Sequence, residues 1–167
     1  ASPPQKKSAD PLRLIVVDDD PDLVAMLKIA LAEEFEFLSA RDGLQAMELT
    51  ARYKPDVFII DWLMPKMSGY QFCQTLKRTD EFAFSPVIFI SAKSTRKDRE
   101  LIDRLGVYQF LAKPFKADDV ERILQGITQR PDFQPRTDRP PYSEYLAEIE
   151  LKEGNHDAGG SRVEWMD

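Results

Sequence analysis

Five short apolar runs punctuate the chain: Leu12-Arg13-Leu14-Ile15-Val16-Val17, Phe35-Glu36-Phe37-Leu38, Val57-Phe58-Ile59-Ile60, Val87-Ile88-Phe89-Ile90 and Gln109-Phe110-Leu111-Ala112. The first, third and fourth are almost uniformly apolar, which suits strands buried on both faces of a parallel sheet. Between the runs the period changes. Leu23, Met26, Leu27, Ala30 and Leu31 form one apolar stripe at helical spacing. Asp20-Pro21 starts that helix with a capping acid followed by proline at the first helical position. Leu44, Met47 and Ala51 mark a second helix, and Phe72, Cys73 and Leu76 a third. Leu101, Ile102 and Leu105 mark a fourth that Gly106 ends, and Val120, Ile123, Leu124 and Ile127 a fifth. Strand and helix thus alternate, and right-handed crossovers favour an open doubly wound α/β sheet. Ligands of such sheets sit outside the carboxyl ends of the strands.

Those ends carry polar groups in an orderly way. The first run ends in Asp18-Asp19-Asp20, the third in Asp61, the fourth in Ser91, and the fifth in Lys113 followed by Pro114. On neighbouring parallel strands, carboxylates, a hydroxyl and an ammonium would converge on one small patch. Carboxylates packed so closely repel and raise one another's pKa unless a cation sits among them. Hard oxygen ligands of this kind suit Mg²⁺, which keeps several waters and takes one or two carboxylates. A hydroxyl and a lysine opposite the metal suit the remaining oxygens of a tetrahedral anion. The set points to phosphoryl transfer, where positioning and charge neutralisation supply most of the catalysis, with a carboxylate as nucleophile. Singly, each residue has an ordinary explanation: Asp20 and Asp22 as caps, Ser91 as a strand-end hydroxyl, Lys113 as a surface charge. Chance placement of one such group per strand end, in this chain order, is improbable.

Composition narrows the alternatives. The 167 residues are 43% hydrophobic and 31% charged, enough for one ordinary domain and a short addition. A single cysteine, Cys73, excludes an internal disulfide and a cysteine-rich zinc site and fits a reducing cytoplasm. The only histidine, His156, stands near the end of the sequence, away from the strand pattern. The net charge of −6 argues against nucleic-acid binding through bulk positive charge. No apolar run approaches the roughly 18 residues that span a bilayer, and the first residues lack the apolar stretch of a secretory signal. Residues 131–167 hold nine acids against four Lys and Arg, with four prolines and three glycines. The expected organisation is a flexible segment over 1–11, a folded domain over 12–130, and an acidic, proline-containing tail or linker over 131–167. Tyr142 to Leu151 has the makings of a short helix, but the expectation is a mobile segment.

Four stretches resemble the receiver domain of two-component response regulators: Val16-Val17-Asp18-Asp19-Asp20-Pro21, Ile60-Asp61-Trp62-Leu63-Met64-Pro65-Lys66-Met67-Ser68-Gly69, Ile90-Ser91-Ala92 and Ala112-Lys113-Pro114-Phe115. The resemblance covers about 12–130. It implies a flavodoxin-like five-stranded fold with strand order 2-1-3-4-5, and phosphorylation of Asp61 by a histidine kinase or histidine phosphotransfer protein. It further implies Mg²⁺ held by Asp19, Asp61 and the Leu63 carbonyl, with Asp18 acting largely through water. Ser91 and Lys113 would each take a phosphoryl oxygen, Ala92 would leave room for the phosphate, and the Lys113-Pro114 bond would be cis. Ser91 and Phe110 would form the switch, Phe110 standing where the family often has tyrosine. Leu63 and Lys93 would flank the path of the hydrolytic water; neither side chain orients it well, which suggests a long-lived phosphoryl state. The output would be protein contact through the face of helix four, strand five and helix five, with no direct contact to nucleic acid or membrane.

Several readings stay open. The charged start of helix four, Ser94-Thr95-Arg96-Lys97-Asp98-Arg99-Glu100, suits a solvated face, a docking surface or a homodimer interface. The chain reads as a stand-alone regulator or as the receiver piece of a longer effector. The competing classes are an interaction module that uses the fold without phosphorylation, which leaves the acids, Ser91 and Lys113 unexplained, and an aspartyl-nucleophile hydrolase. The latter needs a second acid two residues after Asp61, where Leu63 stands.

Overall fold

The computed structural model describes residues 11–64, 66–92 and 95–165, with the side chains of the last helix described as far as Glu153. Strands and helices alternate as β1 (Arg13–Val17), α1 (Pro21–Leu31), β2 (Glu36–Ala40), α2 (Gly43–Tyr53), β3 (Val57–Asp61), α3 (Gly69–Arg78), β4 (Val87–Ser91), α4 (Arg96–Leu105), β5 (Gln109–Ala112) and α5 (Ala117–Thr128). A further helix, α6 (Tyr142–Trp165), follows. All strand pairs are parallel, in the order β2-β1-β3-β4-β5. The flavodoxin-like, doubly wound architecture expected from the apolar pattern is therefore present.

The uniformly apolar runs behave as their composition requires. Every residue of β1, β3 and β4 is buried, because helices cover both faces of the sheet. Alternate residues of each strand feed two cores. One gathers Ile15, Val17, Phe58, Ile60 and Phe89 with Phe72, Cys73 and Leu76 of α3; the other gathers Leu14, Val16, Ile59, Ile88 and Ile90 with Leu27, Leu31, Val120, Leu124 and Ile127. Each fully buried Leu, Ile or Phe contributes about 1.5–3 kcal/mol. Local chemistry sets the helix ends. Asp20 accepts from the amides of Asp22 and Leu23, and Pro21 opens α1. Ser68 with Gln71 and Thr95 with Asp98 form capping boxes, and Gly106 ends α4 at φ 67°.

The expected stripe on α2 needs correction. The helix buries Ala46, Thr50 and Tyr53, whereas Leu44 and Ala51 face solvent and Met47 is half-buried. Tyr53 lies on that buried face, and its ring packs edge-on against Tyr145 of α6 at 5.4 Å. On α1, Leu27 and Leu31 are buried as expected, while Met26 lies at the margin.

The larger departure is the segment after α5. Residues expected to be mobile lie against the domain as far as the structure describes their side chains. Phe133 packs on the second core. The Arg136 amide donates to Asp56 Oδ1 at 2.7 Å, and its guanidinium sits 4.3 Å from the centre of the Phe82 ring. Arg139 Nη1 pairs with Asp56 Oδ2 at 2.9 Å, with 5% and 0% of the two side chains exposed. Arg13, buried within β1, donates to the carbonyls of Tyr53 and Pro140. At the start of α6 the Tyr142 hydroxyl donates to the Phe37 carbonyl, and the Tyr145 hydroxyl accepts from the Ser39 amide. Two backbone groups of the edge strand β2 thus find partners on α6. Buried polar groups that all need partners hold this segment down where composition alone suggests a linker. Among the described residues, no helix is long and apolar enough to cross a membrane.

Candidate functional site

The parallel register carries the polar residues at the strand ends to one edge of the sheet. Val17 of β1 lies beside Ile60 of β3, Asp61 beside Ile90 of β4, and Ser91 beside Ala112 of β5. Asp18 and Asp61 are therefore neighbours across adjacent strand ends, with Lys113 reaching in from one residue past β5. One carboxylate oxygen from each of Asp18, Asp19 and Asp61 lies within 4.8 Å of the others. Asp18, Asp61 and Ser91 are buried, at 2%, 6% and 1% exposure, while Asp19 faces solvent. Lys113 Nζ donates to Asp18 Oδ2 at 2.8 Å and stands 3.7 Å from Asp61 Oδ2. The Asp20 amide donates to Asp18 Oδ1 at 2.9 Å, so both Asp18 oxygens are engaged. The Lys113-Pro114 bond is cis, as expected.

Electrostatics follow from this crowding. Burial, and then the charge of Asp18, push the Asp61 carboxyl up to about 6; Lys113 and the Leu63 amide pull the other way without winning. Burial opposes the charge on Lys113, yet its hydrogen bond to Asp18 and the charges of Asp61 and Asp18 prevail, so the ammonium titrates above its ordinary value. Asp61 accordingly sits where a further cation would relieve it.

Described residues on both sides of Pro65 pack closely beside the site. The Leu63 amide faces Asp61 Oδ1 at 3.4 Å, and the Leu63 side chain is 63% exposed. Gly69 brings the start of α3 against Asp61: a Cβ there would stand 2.2 Å from the Asp61 carbonyl oxygen, so only glycine fits. Trp62 is buried edge-on against Tyr70 and Phe89. Phe110 in β5 is half-buried against the first core, with the Arg99 guanidinium 5.9 Å from its ring centre. Lys93, expected with Leu63 to flank the path of the hydrolytic water, lies outside the described residues.

The structure adds one pair that the sequence pattern does not suggest. Lys66 Nζ lies 3.4 Å from Asp42 Oδ2, and Asp42 caps α2 through the Gln45 amide. The amide of Gln45, assisted by Lys66, holds the Asp42 carboxyl below its ordinary value. The second apolar run stops at Leu38 in the sequence, but β2 continues to Ala40, and this carries Asp42 to the same edge as Asp18 and Asp61. An open cleft of about 470 Å³, lined in part by Leu23, Met26, Lys113 and Phe115, adjoins the cluster. A second hollow, about 520 Å³, lies at the opposite end of the sheet; of its three cations Lys54 and Arg136 pair with Glu81, and Arg130 with Asp132.

A doubly wound sheet with acids at two adjacent strand ends and a lysine after the last strand defines a receiver-type signalling domain. The family model for the response regulator receiver domain matches residues 14–125, and the chain belongs to that family. Response regulator Rre1 of Synechocystis is 32% identical over 143 residues, covering 84% of this chain and 61% of that protein. A solved receiver domain of a signal transduction histidine kinase from Syntrophus aciditrophicus is 28% identical, with a TM-score of 0.62, covering 75% of this chain and 98% of that one. The receiver domain of sensor histidine kinase PA1611 from Pseudomonas aeruginosa, solved with a magnesium ion coordinated in its active site cleft, is 26% identical at a TM-score of 0.63, covering 70% of this chain and 96% of that one. The chain spans 23% of a probable cyclic di-GMP phosphodiesterase of Vibrio cholerae that is 36% identical over 101 residues. It thus corresponds to part of each of these two full-length relatives.

The donor set fits a hard divalent cation. Three carboxylates converge, one of them raised in pKa by burial and by its neighbour's charge.

Proposed function

We propose that this chain is a phosphorylatable receiver that accepts a phosphoryl group on Asp61 from a histidine kinase or histidine phosphotransfer protein and signals by protein contact. The observation that carries the reading is the convergence of Asp18, Asp19 and Asp61 within 4.8 Å, with the Lys113 ammonium beside Asp18 and Asp61. In the transfer, an Asp61 carboxylate oxygen attacks the phosphorus of a phosphohistidine. The O–P bond forms as the P–N bond breaks, and the bonding pair leaves with the imidazole nitrogen. Lys113 neutralises one phosphoryl oxygen and the Ser91 hydroxyl donates to another. Asp19, Asp61 and the Leu63 carbonyl would hold Mg²⁺, with Asp18 acting through water. When bound, the ion supplies charge neutralisation at the phosphoryl oxygens. In the separate hydrolytic step, a water oxygen attacks phosphorus as the P–O bond to Asp61 breaks; the Asp61 carboxylate is regenerated and inorganic phosphate leaves with the hydroxyl that the water supplies, the second proton passing to solvent.

The switch pairs Ser91 with Phe110: the hydroxyl turns toward the phosphoryl group and the ring moves into the space it leaves. Phe110 has no hydroxyl to satisfy in an outward position, which makes that state less favourable than for tyrosine; in the structure the ring is half-buried with the Arg99 guanidinium near its face. The output face is α4, β5 and α5, for a protein target or a second copy; no nucleic acid or membrane is contacted. The setting is the cytoplasm, and the chain serves either alone or as the receiver part of a longer effector. Phosphotransfer profiling against phosphorylated histidine kinases and phosphotransfer proteins tests the reading. One donor should transfer rapidly to the parent and none to Asp61→Asn. Transfer that persists in Asp61→Asn, or that no donor achieves with the parent, contradicts it.

A further inference from the structure

The loop that follows Asp61 rests on the beginning of α2. A Cβ on Gly43 would stand 2.6 Å from Met67 Cβ and 2.8 Å from Met67 Cγ. Carbon atoms prefer separations of about 3.5–4.0 Å. The nearest atom is the root of the Met67 side chain, so a change of rotamer gives no relief and backbone must move by about 1 Å. Lys66, one residue earlier, adopts φ 67° although it is not glycine, and its ammonium faces Asp42 Oδ2. Gly69 closes the far end of the loop against the Asp61 carbonyl. Two close approaches that only glycine permits, at Met67 and at the Asp61 carbonyl, thus fix described residues on both sides of Pro65.

Which side yields is decided by the rest of α2. Its Ala46 and Thr50 are buried, and Tyr53 at its end is fully buried. The Tyr53 hydroxyl donates to Glu148 Oε2 at 2.5 Å, Arg52 pairs with the same carboxylate, and the Lys54 carbonyl accepts from Arg139 at 3.0 Å. The segment after α5, which lies beyond the stretch matched by the family model, therefore pins the end of α2 that is remote from the site. A displaced loop costs less than a displaced helix.

We infer that Gly43, braced by α2 and α6, is a positioning residue for the Asp61 site. It sets the height of the loop over α2 and thereby the place of the Leu63 backbone beside Asp61. The inference rests on the receiver reading above. Gly43 itself touches neither ion nor phosphoryl group; it acts through its contact with Met67.

The test is a Mg²⁺ titration read by Trp62 fluorescence in a Trp165→Phe background, with acetyl phosphate labelling rates and thermal melts alongside. Gly43→Ala should raise the half-saturating Mg²⁺ concentration on the order of tenfold, which is about 1.4 kcal/mol of ion binding. Thermal stability should fall far less than ion affinity, and labelling should recover at saturating Mg²⁺. Adding Met67→Gly to Gly43→Ala removes the clash and should restore most of the lost affinity. A half-saturation indistinguishable from the parent, or a double variant no better than Gly43→Ala, overturns the inference. If Gly43→Ala does not fold, Met67→Ile crowds the same contact from the loop side: weakened Mg²⁺ binding then supports the inference, and unchanged binding overturns it. A parent that neither responds to Mg²⁺ nor takes up phosphoryl groups would sink the receiver reading and this inference with it. A parent that does both beside an unaffected Gly43→Ala sinks this inference alone.

Discussion

Replacing Asp61 by Asn should make the metal-free protein more stable, and the gain should depend on pH. The carboxyl titrates at about 6 in the folded chain against 3.8 for an unperturbed group, because burial and the Asp18 charge disfavour its ionised form. Each unit of pKa difference corresponds to 1.36 kcal/mol, so the ionised carboxylate costs the folded state about 3 kcal/mol well above pH 6. The sign is fixed by the direction of the shift. The folded chain binds the proton more tightly than the unfolded chain, so the penalty is full above the folded pKa and gone below the unfolded one. Asp61→Asn mimics the protonated state and removes it. Integrating between the two pKa values leaves a gain of about 3 kcal/mol at pH 7.5, roughly half of that at pH 5 and little at pH 4. For a chain of this length, 1 kcal/mol moves the melting temperature by about 2–4 °C, so the shift at pH 7.5 should be about 6–12 °C. Thermal melts of parent and variant in chelator, at the three pH values, make the measurement. A variant that melts at or below the parent at pH 7.5, or a gain that persists unchanged to pH 4, would refute the claim that Asp61 is held under electrostatic strain.

Mg²⁺ should raise the melting temperature of the parent by mass action and do little for Asp19→Asn, which loses a ligand of the proposed ion site; equal protection of both would assign these acids to a structural role. Arg139→Met leaves Asp56 buried with only its backbone donors, and should cost about 3 kcal/mol in chemical denaturation; a loss below about 1 kcal/mol would show that the segment after α5 does not brace the domain. Leu63→Asn combined with Lys93→Glu should speed loss of the phosphoryl group by offering side chains that orient water; an unchanged rate removes these positions from control of the hydrolytic water.

The strands and the polar cluster are legible because both depend on local signals. Buried parallel strands need uninterrupted apolar runs, and a site at strand ends needs its residues directly after those runs, as Asp18, Asp61 and Ser91 are. The face of α2 is harder to read. Leu44 looks like a core residue by hydropathy, but the buried face of the helix runs through Ala46, Thr50 and Tyr53, two of which carry hydroxyls. The segment after α5 is not legible, because what holds it is polar and distant in sequence. Asp56 waits for Arg139, Phe37 and Ser39 wait for two tyrosine hydroxyls, and Pro140 caps the buried Arg13. Prolines and charges that suggest a linker are the same residues that fasten it down. The contact between Gly43 and Met67 is hidden for a related reason, since the sequence shows a glycine after Asp42 without showing what approaches it.

The central claim is that Asp61 is the phosphoacceptor of this receiver, and intact-mass spectrometry tests it most directly. The full chain is incubated with acetyl phosphate and Mg²⁺, then with chelator in place of Mg²⁺, and Asp61→Asn is treated in parallel. The account predicts the mass of one added phosphoryl group on the parent with Mg²⁺, its loss in chelator, and none on Asp61→Asn. An equal shift on Asp61→Asn, or an unmodified parent under every condition, would contradict it.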